Sequence, residues 1–202
     1  MENIIIGELQ HQDKQEIADM LAEAFKNNPN SKAVWTDSSS EKALSAFAKI
    51  VRIAKLDRKF SHVYVAKFNG KAVGAINFSH WPNCQPAPLE KIVMLPRLIS
   101  TFGSALPKAV KIMTTWGKHD PQKAHCHIGP LGVLSQFHGN GIGSQLLKHC
   151  LNIADEAKIP CYLETDALIN VSLYERHGFK VINEVPIHGY KTWLMWRDTS
   201  KA

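Results

Sequence analysis

The reading of this chain turns on Phe137-His138-Gly139-Asn140-Gly141-Ile142-Gly143-Ser144. Residues 125–134, just before it, read as a strand. From about 142 to 157, just after it, Ile142, Leu146, Leu147, Cys150, Leu151 and Ala154 recur at helical spacing and mark a buried stripe. A strand, three glycines at alternating positions and a long amphipathic helix suit a phosphate. Glycine lets a ligand approach the main chain. The first turn of a helix offers unpaired N–H groups at the positive end of its dipole. A pyrophosphate fits there without help from any side chain.

Three readings of the glycines compete with one another. A P-loop requires Gly-Lys-Ser/Thr, but Gly143 is followed directly by Ser144, so that reading fails. A dinucleotide fingerprint, G-x-G-x-x-G or Ala, is a near miss: it meets Ser144 at its last position, and Glu164 imitates the ribose-binding acid. That reading predicts further βα units downstream, whereas the chain continues with a short helix and two strands. The bland reading is a glycine-rich turn with no ligand.

Working outward, residues 160–165 read as a strand and 170–177 as a short helix closed by Gly178. Strands at 179–185 and 190–197 join around His188-Gly189. Upstream, residues 4–9 form a strand and 13–25 a helix that Asn27-Asn28-Pro29-Asn30 stops. The loop to Ser40 carries Val34 and Trp35, and a second helix spans about 41–57. Strands at 62–68 and 72–79 meet at Asn69-Gly70, the signature of a type I′ hairpin. Residues 81–88 are a Pro-rich break. Residues 90–116 look helical in pieces limited by Pro96 and Pro107. The expected fold class is α/β (α+β, with a mixed sheet) in one domain, 1–202.

Composition agrees with that reading. The chain has 202 residues, 45% hydrophobic and 21% charged, enough to bury a core without staples. Lys plus Arg number 24 against 18 Asp plus Glu, a balance of +6 that favours polyanionic ligands without choosing among them. The lysines between 108 and 123 read as a solvated basic face, and no aromatic-basic motif predicts a nucleic-acid partner. Cys84, Cys126, Cys150 and Cys161 form no disulfide framework. Met-Glu-Asn and the short apolar run after it lack the features of a signal peptide, and no run of about 18 apolar residues predicts a membrane span. A reducing, cytoplasmic setting is the expectation.

The second half resembles the GNAT superfamily of acetyl-CoA-dependent N-acetyltransferases over about residues 124–197. The resemblance rests on Gly129-Pro130-Leu131-Gly132-Val133, the glycine stretch, Leu163-Glu164-Thr165, and Asn170-Val171-Ser172-Leu173-Tyr174-Glu175-Arg176-His177-Gly178-Phe179, in that order and spacing. The closing Gly189 and Trp193-Leu194-Met195-Trp196-Arg197 look like the branch containing puromycin N-acetyltransferase. The family motif Gln/Arg-x-x-Gly-x-Gly/Ala places its glycines at Gly141 and Gly143 and departs at its first position, His138.

The resemblance implies a central mixed sheet flanked by helices, with an acceptor-side half (1–123) and an acetyl-CoA-binding half (124–202). It implies that the main chain of Leu131, Gly132, Val133 and Leu134 pairs with the pantetheine arm. A main-chain N–H near Val133 serves the oxyanion. Amides of His138, Gly139, Asn140, Gly141, Ile142, Gly143 and Ser144 hold the pyrophosphate. It places Tyr174 as the acid that protonates the leaving sulfur. Asn170 either caps its helix or touches the cofactor. His127 and Glu164 are the candidates for the base.

His125 and His127 share a strand face but lack a third metal ligand, so no metal is expected. Trp35, Trp81 and the segment 90–116 are the candidates to line an acceptor pocket. The expected reaction is direct transfer of acetyl from acetyl-CoA to a small-molecule primary amine, with no nucleic-acid or membrane partner and a homodimer left open. Rival readings are a non-catalytic CoA-binding sensor, a nucleotide-binding oxidoreductase, and acetylation of a protein N-terminus or lysine.

Overall fold

A computed structural model describes residues 4–199; the Met1-Glu2-Asn3 part of the reading on targeting lies outside them. Seven strands form one mixed sheet in the order β1-β2-β3-β4-β5-β7-β6. They are β1 (Ile4–Glu8), β2 (Ser61–Phe68), β3 (Lys71–His80), β4 (Cys126–Val133), β5 (Cys161–Thr165), β6 (Lys180–Ile187) and β7 (Tyr190–Arg197). Only β4 and β5 run parallel; every other neighbouring pair is antiparallel. The Asn69-Gly70 turn behaves as its sequence predicts, and the His188-Gly189 turn adopts the same conformation. Asn69-Gly70 (φ 49° and 78°) and His188-Gly189 (φ 50° and 87°) each place two residues in the left-handed region.

Alternation along the strands sends side chains to two faces. On one face α6 (Ile142–Glu156) and α7 (Leu168–Glu175) pack Leu146, Leu147, Cys150 and Val171 against Ile76, Phe78, Ile128 and Leu163. On the other, α1 (Lys14–Phe25) and α3 (Glu41–Val51) cover Val63, Val65, Ala72 and Ala75. A third cluster joins α2 (Pro29–Val34), α4 (Pro88–Phe102) and α5 (Leu106–His119) through Val34, Leu98, Phe102 and Ile112, and reaches Ile187 of β6. Arg197 closes the C-terminal strand. Its guanidinium donates two 2.7 Å hydrogen bonds to Asp155 of α6 and a third, of 3.0 Å, to the His177 carbonyl.

Four local expectations change. The loop after α1 contains α2, because Asn28-Pro29 that stops one helix also starts the next. Asn28 Oδ1 accepts the Asn30 N–H at 2.9 Å, and Pro29 opens the helix, where its missing N–H costs nothing. The second helix leaves α geometry at Val51 and passes through a π-helical turn, Arg52–Leu56. Pro96 does not divide α4 and lies on its exposed side, where the carbonyl it frees is not sealed in the core. Asn170 is not a cap: α7 starts at Leu168 from Ala167, so Asn170 lies inside its first turn.

Two features shape the middle of the sheet. Between β3 and β4 the register slips, with Ile76 opposite Leu131 but Phe78 opposite Ile128, so β4 carries an extra residue around Gly129-Pro130. Such a bulge bends its strand. Beyond the pairs Cys126–Cys161 and His127–Tyr162, β4 and β5 have no further pairing and diverge. The second feature is Gly132. A Cβ there would lie 2.8 Å from both Leu21 Cδ2 and Phe25 Cε2, so only glycine lets α1 press this closely onto β4.

Candidate active site

The gap between β4 and β5 opens into a cavity of about 300 Å³, the lower end of the size range for small-molecule sites. Its walls are mostly apolar, with Phe25, Trp35, Phe47, Met94, Phe102 and Trp116 from the helical half of the chain. Glu164, Asp166, Asn170 and Tyr174 line it from β5, α7 and the turn between them. Trp35 and the 90–116 segment therefore take the lining role expected of them. Trp81 does not: it is 37% exposed and lies outside the cavity.

On β4, alternation sorts the four residues expected to meet a pantetheine arm. The Leu134 N–H donates to Val73 O of β3 at 2.9 Å. By alternation, Gly132 also directs its main-chain groups to β3, opposite Ala75. Leu131 and Val133 turn theirs to the open edge facing the gap. Beyond β4, Gly139 and Gly141 adopt φ 78° and 74°, and Gly141 is the N-cap of α6. Both conformations suit glycine, and the first-turn amides of α6 have no partner within the helix. His138 differs from the reading. Its N–H is taken by Ser135 O (3.1 Å), and its ring Nε2–H donates to Val133 O (2.8 Å). The His138 amide is therefore already paired, and the residue that departs from the motif braces the end of β4.

Tyr174 is 6% exposed and packs edge-on against Phe179. Burial, reinforced by the charge of Asp166, pushes its phenol well above the ordinary range, so it is protonated at any physiological pH. Asp166, which sequence reasoning missed, is held by Asn28 Nδ2 (2.8 Å) and by the N–H (3.2 Å) and Nδ2 (2.5 Å) of Asn30. Tyr190 in turn donates to Asn30 Oδ1. Burial raises the Asp166 carboxyl above its usual value despite those donors.

His127 and Glu164 do meet. His127 Nε2–H donates to Glu164 Oε2 at 2.9 Å, and Nδ1 lies 2.9 Å from Asp120 Oδ1. Burial opposes charge on this ring, but Glu164 and Asp120 prevail and raise its pKa well above the ordinary value. With a carboxylate on each nitrogen, His127 has no free lone pair for an amine proton. Glu164 does have a free oxygen: Oε1 is buried and has no hydrogen-bond partner. Lys55 also lines the cavity. Burial pulls its ammonium below the ordinary value, against the attraction of Glu164.

Behind His127, the fold gathers what two histidines alone lacked. Asp120 Oδ1 lies 3.6 Å from His125 Nε2, and Cys84 Sγ is 3.5 Å from Asp120 Oδ2 and 3.9 Å from His125 Nε2. Burial disfavours the Asp120 carboxylate, but hydrogen bonds from both histidines hold it well below the usual range. The His125 imidazole is raised to about 9, mainly by Asp120 acting against burial. No sequence spacing announces this cluster, because residues 84 and 120 flank the helical insert.

A splayed parallel strand pair, a glycine-opened helix N-terminus beside it and a cavity at the fork define an acyl-CoA-binding acyltransferase fold. The sequence model of the Acetyltransferase (GNAT) family matches residues 15–179, and the chain belongs to that family. It is an acetyl-CoA-dependent acyltransferase. Among solved structures, it is similar to a Corynebacterium glutamicum protein described as histone acetyltransferase HPA2 and related acetyltransferase (25% identity, 98% of each chain, TM-score 0.73). It is also similar in fold to arylalkylamine N-acetyltransferase 2 from Aedes aegypti (15% identity, 98% of this chain and 99% of that one, TM-score 0.66). A third is the PaiA N-acetyltransferase from Thermoplasma acidophilum in complex with coenzyme A (15% identity, 97% and 99%, TM-score 0.57). Among the described residues no helix is long and apolar enough to cross a membrane.

Proposed function

We propose that the chain transfers acetyl from acetyl-CoA to a small-molecule primary amine with an apolar, aryl- or alkyl-bearing body, by direct attack. The observation that carries this reading is the buried, unpartnered Oε1 of Glu164 in the cavity that Tyr174 also lines. The apolar walls take the body of the amine, and Glu164 and Asp166 attract its ammonium. The indole N–H of Trp116 and the Ser31 hydroxyl, both in the lining and both without partners, are available to a polar group on the acceptor. The names of two proteins of similar fold support this class of acceptor: the arylalkylamine acetyltransferase above and a condensation domain of Ebony in complex with β-alanyl-dopamine.

In this reading the chain's residues divide the work. Acetyl-CoA supplies the activated thioester. Gly139 to Ser144 hold its diphosphate, Leu131 and Val133 hold the arm along the open strand edge, and Asn170 contacts the cofactor beside them. Glu164 Oε1 takes a proton from the bound ammonium, freeing the lone pair that attacks the thioester carbon. The Val133 N–H steadies the oxyanion. Tyr174 gives its phenolic proton to the departing sulfur as the C–S bond breaks, leaving an amide and the free thiol. The second N–H proton of the intermediate restores the Tyr174 phenol once the thiol has left. His127 is a positioning residue that fixes Glu164 through Oε2. A cytoplasmic setting accompanies the proposal, supported by four free, buried cysteines.

The test is thiol release from acetyl-CoA against a panel of aryl-alkyl amines, polyamines, amino acids and peptides, followed by the product mass. Turnover confined to amines with an apolar body is the expected result. Turnover confined to peptides, or CoA binding with no turnover on any amine, overturns it.

A further inference from the structure

The cluster behind His127 has a second use. Cys84 comes from the turn after β3, Asp120 from the end of α5, and His125 and His127 from the start of β4 and its approach. Their exposures are 2%, 4%, 1% and 6%, and one donor atom from each lies within 4.8 Å of all the others. We propose that Cys84 Sγ, a carboxylate oxygen of Asp120, His125 Nε2 and His127 Nδ1 form a binding site for one divalent ion of the zinc class, which holds the helical insert to the sheet.

The donor set selects the ion class. One thiol, two imidazoles and one carboxylate make a borderline-soft site suited to zinc and unlike the all-oxygen shells of calcium or magnesium. The spacing is close to what such an ion needs. Tetrahedral bonds of ordinary zinc length set ligand atoms about 3.3–3.6 Å apart. Nε2–Oδ1 and Sγ–Nε2 measure 3.6 and 3.9 Å, and Sγ lies 3.5 Å from the other carboxylate oxygen, Oδ2, within a set whose donor atoms all lie within 4.8 Å of one another. The His127 Nδ1 to Asp120 Oδ1 distance, 2.9 Å, lengthens by a few tenths of an ångström when an ion replaces the shared proton.

Both rings are also oriented from outside the cluster. His125 Nδ1–H donates to Lys123 O at 2.8 Å, which turns the Nε2 lone pair inward. His127 Nε2–H donates to Glu164 Oε2 at 2.9 Å, which leaves Nδ1 for the ion. Histidines that ligate metals are held by such outer hydrogen bonds. Four protein ligands leave no open position, so the ion is structural. It joins residues 36 apart. Between them lie α4 and α5, whose inner side chains line the cavity. Closing that span restrains both ends of the insert against β4, as a cross-link does.

The full chain, purified without chelators, is read for metal by mass spectrometry. It is then stripped and titrated with Zn²⁺ alone against a chromophoric chelator, and separately with Co²⁺. The expected results are one zinc per chain, a thiolate-to-cobalt charge-transfer band, and a rise in Tm on adding Zn²⁺. Cys84→Ser abolishes the band and weakens Zn²⁺ by more than the about 10–100-fold seen on losing an outer-shell partner. His125→Gln is the second variant, with circular dichroism confirming that each is folded. Sub-stoichiometric zinc in folded wild type, a cobalt complex without the band, or affinity unchanged in a folded variant overturns the proposal. Should neither variant fold, the wild-type stoichiometry and cobalt spectrum decide. None of these readouts depends on acetyl transfer.

Discussion

The proposed donor side and acceptor side of this molecule are built in different ways. From Leu131 to Ser144 the groups that face the gap are main-chain ones, and the local sequence only has to set the backbone conformation. Across the fork, the cavity is lined mostly by side chains from α1 to α5, β5 and α7, far apart in sequence and brought together only by the fold. Main-chain recognition constrains residues close together in sequence, such as Gly139 and Gly141. Side-chain recognition constrains residues such as Asn28 and Asp166, which meet across 138 positions. The first kind leaves a motif, and the second leaves only scattered polar residues until the chain folds.

Variants that act on one side and spare the other sharpen this contrast. Glu164→Gln has the largest expected effect, a loss in kcat of about 10³-fold, within the range for removing a general base. Acetyl-CoA affinity by calorimetry stays at the wild-type value. Near-normal turnover would dismiss Glu164 as proton acceptor. Tyr174→Phe removes only the phenolic proton donor and lowers kcat by about 10²-fold, again with donor affinity intact. A matching fall in acetyl-CoA affinity would show instead that the ring packs for the donor.

Much of the fold was legible because local rules sufficed. Asn69-Gly70 fixed a hairpin, Gly141 opened a helix, and the stripe on α6 identified its buried face. Where two rules met at one position, the local reading did not separate them. Asn28-Pro29 both ends a helix and begins another, and Asn170 has the chemistry of a cap but lies inside α7. Of the candidate site, the sequence pointed to Tyr174 and Glu164, which the fold brings to one cavity, and to the glycine stretch that opens α6. Asp166, Asp120 and Cys84 were not, since nothing in their neighbourhoods distinguishes them from surface acids or a core thiol. Gly132 lay within a recognised stretch, but its reason was hidden: it is small for the sake of Leu21 and Phe25, more than a hundred positions away.

Gly132→Ala tests that long-range reason. The added methyl meets two side chains at 2.8 Å, and overpacking of this kind costs about 1–3 kcal/mol. In a chain of this size that is a fall in Tm of about 2–4 °C for each kcal/mol. An unchanged melting curve would show that α1 can move aside. The smallest effect is expected of Trp116→Phe, which keeps an aromatic wall but loses the pyrrole part of the indole with its N–H. The acceptor KM rises about fivefold, the value of one ordinary hydrogen bond, while acetyl-CoA parameters do not move. A shift in the donor KM would break the division between the two sides.

The short ladder between β4 and β5 has a mechanical consequence. With only two residue pairs shared before the strands part, the seven strands behave as two leaves bound along a narrow spine. A ligand laid along the free margin of Leu131 and Val133 becomes a second line of stitching between the leaves. Saturating this enzyme with its acyl donor should therefore slow proteolysis and amide exchange most at the inner margins of both leaves. The outer strands β1 and β6, far from the spine, should scarcely register its arrival.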